Sequence, residues 1–137
     1  MANRLTKGKA LFGSVTTSGT VKAQLLTQQR SANTIADGAS MTFTAAQALA
    51  GIVVSTPTTT RNIQAPTAAS LLTALTGETV GDSIEVTIIN LSASAAALTL
   101  TVNTGTTIIG SATIASASSA TYTVRVASTT AVVFYRK

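Results

Sequence analysis

Ser83-Ile84-Glu85-Val86-Thr87-Ile88-Ile89-Asn90 is the stretch that decides the fold. Ile84, Val86 and Ile88 fall on one side of an extended chain, and Glu85 and Thr87 on the other. This two-residue period is that of a strand half buried against a core. The alternation returns in Leu98-Thr99-Leu100-Thr101-Val102, which Asn103-Thr104-Gly105 turns, and again in Thr121-Tyr122-Thr123-Val124-Arg125-Val126. Residues 107–109 and 112–114 flank Gly110, and residues 131–135 close the chain. Strands of about four to eight residues at intervals of roughly ten, joined by Gly, Asn and Ser turns, predict an all-β sandwich.

Working upstream, residues 61–65 are expected to be extended because the position before Pro66 is biased away from helix. One short helix is predicted at about 66–76. Pro66 and Thr67 start it, Ala68, Leu71, Leu72 and Leu75 recur at helical spacing, and Gly77 stops it. Ile52-Val53-Val54 forms a β-branched run ended by Pro57 and three threonines. Ala45–Ala50 reads as a helical turn ended by Gly51, and Met41-Thr42-Phe43-Thr44 alternates like a strand. A helix between early and late strands favours a jelly-roll version of the sandwich. An immunoglobulin-like version is the second choice, without the Cys or Trp that would support it. The body is taken to span residues 40–137. Its core is built from Val, Ile and Leu, with Phe43, Tyr122, Phe134 and Tyr135 as the large pieces.

Charge divides the chain differently. Arg4, Lys7, Lys9, Lys22 and Arg30 face no acid among the first thirty residues, whereas from Ser31 onward Arg61, Arg125, Arg136 and Lys137 balance Asp37, Glu78, Asp82 and Glu85. The net +5 is thus an excess of the leading segment. Residues 1–39 are read as a basic, extended N-terminal arm ordered by neighbouring subunits. Within it, residues 15–21 suit a hairpin turning at Ser18-Gly19. Residues 22–30 (KAQLLTQQR) suit a strand, or a short helix buried at Leu25 and Leu26.

Composition narrows the chemistry. With no Cys there are neither disulfides nor thiolate sites, and with no His the commonest general base and metal ligand are missing. Only 9% of residues are charged, so hydroxyls must wet the surface and little repulsion opposes self-association. No apolar run reaches the ~18 residues of a spanning helix. The short patch Ala10-Leu11-Phe12 falls below a secretory h-region, so neither a leader nor membrane association is expected.

Glu78, Asp82 and Glu85 lie close in sequence, but paired-carboxylate catalysis needs two groups across a cleft, and a divalent cation needs several converging oxygens. Two of these acids fall in the turn after the helix and one on the polar face of a strand, so solvated acids are expected. Serines and threonines lack the usual activating His. Gly105 and Gly110 are spaced as strand turns rather than as a phosphate cradle. The expectation is a protein that is not an enzyme, with no cofactor, metal or small-molecule substrate. The arm suits phosphates electrostatically, yet Phe12 is its one aromatic, so an acidic protein surface is favoured over nucleic acid.

Residues 51–136 carry a further signal as a block. Gly51-Ile52-Val53-Val54 precedes Pro57 and residues 58–61, followed by Pro66-Thr67-Ala68-Ala69-Ser70-Leu71-Leu72-Thr73-Ala74-Leu75. Val80-Gly81-Asp82 then leads into the strand Ser83–Asn90, with Gly105, Gly110 and Val132-Val133-Phe134-Tyr135-Arg136 after it. This pattern resembles the small β-sandwich modules of tailed-phage and other virus particles, in capsid decoration (cement) proteins and head fibres. The resemblance implies a trimeric virion structural protein and carries over no catalytic residue. The expectation is therefore a decoration protein on the outer capsid surface, whose partners are the major capsid protein and its own copies. Arg4, Lys7, Lys9, Lys22 and Arg30 would meet acidic groups, with Leu11, Phe12, Leu25 and Leu26 as apolar anchors. Alternatives are a head- or tail-fibre module binding a host glycan and a nucleic-acid-binding module led by the arm.

Overall fold

The computed structural model of the chain describes residues 30–137. In order these form β1 (Ser31–Ile35), β2 (Met41–Thr42), α1 (Ala45–Ala50), β3 (Gly51–Ser55), β4 (Arg61–Gln64), α2 (Ala68–Ala74) and β5 (Ser83–Asn90). β6 (Leu98–Thr101), β7 (Thr106–Ile109), β8 (Thr113–Ile114), β9 (Ser118–Ser128) and β10 (Ala131–Arg136) follow. The strands build a six-stranded sheet, β1-β3-β5-β9-β10-β7, and a four-stranded sheet, β2-β4-β6-β8. An all-β fold of two sheets is what the alternating strands predict.

The connectivity differs from a jelly roll. Up to β6 the chain alternates between sheets, and each strand pairs in parallel with the strand two before it: β1 with β3, β3 with β5, β2 with β4, and β4 with β6. β7 also pairs in parallel, with β10. Five of the eight pairings among the described residues are therefore parallel. Jelly rolls are antiparallel Greek keys. Here the first six strands wind as a flattened coil, and antiparallel pairs enter with β8 on β6, and with β9 on β5 and β10. A parallel neighbour needs a long crossover, and the passage through the opposite sheet supplies it.

The sheet also begins earlier than expected. Ser31–Ile35 lies in the segment assigned to the arm, yet it pairs with β3 from Ser31↔Gly51 to Ile35↔Ser55. SANTI carries a single large apolar residue at an edge position, so no amphipathic pattern announces it. The division at residues 39 and 40 thus falls within the folded part.

The described residues contain two short helices, the first of them at the helical turn expected for Ala45–Ala50. α1 has a full capping box: Thr44 Oγ1 accepts from the Gln47 amide, and the Gln47 side chain accepts from the Thr44 amide. α2 is shorter than the expected 66–76, with Thr67 as N-cap accepting from the Ser70 amide and Leu75 as C-cap. α1 touches β1, β3 and β5, and α2 touches α1 and β10, so both helices serve as cover for the larger sheet.

The inward faces form one core: Val53, Val86, Ile88, Tyr122, Val124, Val132 and Phe134 from the larger sheet, and Ile63, Leu98, Leu100 and Ile114 from the smaller, all buried. Tyr122 and Phe134 meet edge to face, with ring centroids 6.4 Å apart. Tyr135, expected among the core pieces, points outward at 36% exposure, because on β10 it alternates with buried Phe134. Buried Asn90 links the sheets. From the end of β5 its amide nitrogen donates to the Ala96 and Ile114 carbonyls, at 2.9 and 3.2 Å, and its oxygen accepts from the Ser92 amide.

Candidate functional site

β1, β3 and β5 run parallel and so start at one end of the larger sheet. Ile52 stands opposite Thr87, which leaves Ser83, Ile84 and Glu85 overhanging β3 at that end. Arg30, the first described residue, is held there. Its Cγ and Cδ each lie 3.3 Å from where a Cβ on Gly51 would be, and its guanidinium reaches the Glu85 carboxylate at 3.5 Å. Gly51 closes α1 in the left-handed region (φ 86°), its amide donating to the Ala48 carbonyl, and opens β3 in the same step. The Lys137 ammonium pairs with the other Glu85 oxygen. One carboxylate thus joins the first described residue to the last.

A cavity of about 310 Å³ opens between the helix ends and the start of β5. Leu49, Ala74, Leu75 and Ile84 form its apolar wall, and Glu78 and Asp82 border it. All four apolar residues are partly buried and pack against the core. Asp82 accepts from the Thr79 amide at 2.8 Å, which shapes the turn that carries both acids. Neither acid makes an ion pair among the described residues. The expected trio Glu78, Asp82 and Glu85 is thereby split, since Glu85 lies on the outer face of β5 with two cations. No group of three acids suited to a metal ion occurs among the described residues. What this end of the molecule offers is apolar contact and ion pairing.

Of the residues expected to touch a capsid, Arg30 is the one the structure describes, and it pairs within its own chain. Arg4, Lys7, Lys9, Leu11, Phe12, Lys22, Leu25 and Leu26 lie outside the described residues. A second cluster escaped the sequence reading. Asp37, just after β1, accepts from the Thr58 hydroxyl (2.6 Å) and amide (3.1 Å) and from Arg61 Nε (2.9 Å). These bonds, the Thr58 hydroxyl first, hold its carboxyl at about 2, below its ordinary 3.8. Its partners are 21 and 24 residues away, so sequence spacing gives no hint of the contact.

The outer face of the larger sheet is mainly hydroxyl and β-branched. Thr87 and Thr121 are cross-strand partners with their hydroxyls 3.0 Å apart, and Thr123 faces Glu85. Towards the β7 edge, Tyr135 stands opposite Ile109, and both are exposed. Scans of this chain against family models, curated proteins and solved structures find no match.

Proposed function

We propose that the chain is a virion structural protein of the capsid-decoration type, with a neutral sandwich displayed on the shell and a cationic segment fastening it. The observation that supports this reading most is the partition of charge. From Arg30 onward, five bases accompany four acids, and two of those acids, Asp37 and Glu85, are already paired within the fold. The four bases before Arg30 have no acid beside them in sequence. A shell protein with an acidic outer surface fits that excess, and a bound clamp shifts a shell toward its assembled state by mass action. Arg4, Lys7, Lys9, Lys22 and Arg30 carry the attachment, with Leu11, Phe12, Leu25 and Leu26 as apolar anchors. The exposed Ile109–Tyr135 pair at a sheet edge supports self-association through contact between bodies, and the trimer is what the resemblance implies.

The test is co-sedimentation of the full chain with undecorated capsids of the cognate major capsid protein. Replacing Arg4, Lys7 and Lys9 together with Glu is expected to weaken binding by about a hundredfold, consistent with several lost charge contacts, while the circular dichroism of the body is unchanged. Full occupancy by the triple variant would refute the reading.

A further inference from the structure

The larger sheet ends in two strands, β1 and β7, that have a neighbour on one side only among the described residues. We propose that β7 of one copy adds in parallel to β1 of the next, so that the sheet runs on from subunit to subunit and closes as a ring. The proposal rests on the self-association proposed for the chain and names the two strands that carry it.

The first observation is direction. β1, β3 and β5 are parallel, β9 runs against β5, β10 runs against β9, and β7 runs with β10. β1 and β7 therefore point the same way from opposite edges of one sheet. Rotation about an axis along the strands keeps that direction, so it sets β7 of one copy beside β1 of the next as parallel neighbours. Such a head-to-tail contact uses both edges of every copy once the ring closes. Pairing of like edges about a two-fold axis would use one edge and leave the other open.

The second observation is that neither edge is guarded. Strand edges are usually blunted by charge, proline, a bulge or shortness. The smaller sheet follows that rule, with two-residue strands, β2 and β8, at its ends. β1 (SANTI) has five residues and β7 (TTII) four, with no charged residue and no proline in either. Their pairings with β3 and β10 run without a shift of register. Edges of this kind are templates for another strand.

The third observation is the surface beside them. Ala32 and Thr34 on β1, and Thr107 and Ile109 on β7, are exposed on the outward face of the sheet. Joining the edges would set these uncharged rows side by side, with no like charges opposed. Ile109 is next to exposed Tyr135, so the apolar contact between bodies continues onto the strand edge.

Cysteine pairs test the contact in the full chain, which has no Cys of its own. Thr34→Cys with Thr107→Cys puts one thiol on each edge, on the same face. The two edges stand five strand spacings apart, about 24 Å, so a short bifunctional thiol reagent cannot link them within one copy. In dilute solution it should link the double variant into a ladder that stops at the mass light scattering gives for the unmodified assembly. Either single variant should stay unlinked, because its thiols lie at separate contacts. Linked dimers of a single variant would overturn the proposal in favour of like edges pairing. A ladder running past the mass of the assembly, or an oligomeric double variant that stays unlinked, would also overturn it. Those results end only this choice of strands, whereas a monomeric unmodified chain would end the self-association reading with it.

Discussion

Arg30 crosses the bare Cα of Gly51 to reach Glu85, so a glycine required by a helix cap also leaves the space through which an ion pair closes. The carboxylate it meets also receives Lys137. Exposed pairs of this kind contribute little each. Their role is to fix where the leading segment joins the sheet.

A ranking of two glycine substitutions follows. Gly51→Ala places a residue at φ 86° and a Cβ 3.3 Å from Arg30 methylenes, which can move aside. A cost of about 1 kcal/mol is expected, mostly from the left-handed backbone. Gly105→Ala has a similar backbone cost (φ 75°), and its Cβ would lie 2.7 Å from Ala68 Cβ and 2.8 Å from the Thr130 carbonyl oxygen. Neither neighbour has a flexible end, so about 3 kcal/mol is expected. Urea titration should place Gly105→Ala well below Gly51→Ala in stability; the reverse order would contradict the packing described here.

Asn90 is the polar link between the sheets. Asn90→Ala leaves the Ala96 and Ile114 carbonyls and the Ser92 amide without that partner in a buried setting. Unmet groups of this kind cost about 1–3 kcal/mol each and do not add fully, so a loss of about 3 kcal/mol is expected. Asn90→Asp should be no better, since a carboxylate cannot donate to two carbonyls and would bury a charge. A loss under about 1 kcal/mol for Asn90→Ala, within the range of an ordinary hydrogen bond, would show that the link is not structural.

These residues mark the limit of what the sequence discloses. The strand Ser83–Asn90 was legible because Ile84, Val86 and Ile88 share a side, and α2 because Pro66, Thr67 and its leucines mark a start and a face. Alternation specifies which side chains point inward, and it is identical for parallel and antiparallel neighbours. The winding of β1 to β6 between two sheets therefore left no trace in the period. Ser31–Ile35 was hidden for another reason: an edge strand with one large apolar residue looks like linker. The partnership of Arg30 with Glu85 joins residues far apart in sequence that meet only once β1, β3 and β5 are in register. Charge counting gave the excess of the leading segment but not the pair that Arg30 makes with Glu85 of its own chain.

Self-association has its own probe. Ile109 and Tyr135 are 49% and 36% exposed on facing positions of β7 and β10. Replacing both with Lys adds two like charges to an edge while leaving the core untouched. If the chain self-associates as proposed, light scattering should give the unmodified chain a molar mass above that of a monomer and the double variant a monomer's, with the melting temperature of the body near its original value apart from any loss due to dissociation. A monomeric mass for the unmodified chain would refute self-association, and an oligomeric mass kept by the variant would refute this edge as the contact.

Acid sensitivity should trace to Asp37. Its carboxyl sits at about 2 in the folded chain against an ordinary 3.8, held down by the Thr58 hydroxyl first and by Arg61 next. Between those values the unfolded chain binds the proton that the folded chain refuses, so stability rises with pH across the window. The contribution is complete above about pH 4 and disappears as pH falls through about 2, when the folded carboxyl is also protonated. Asp37→Asn removes the titration and weakens the contacts from Thr58 and Arg61 at once. Melting temperatures of the two proteins should therefore differ most at neutral pH, approach one another between pH 4 and pH 2, and meet near the lower end. Because the group is exposed, salt should narrow the gap at neutral pH. Two curves that stay parallel throughout this range would mean that Asp37 does not fasten the loop after β1 to the start of β4.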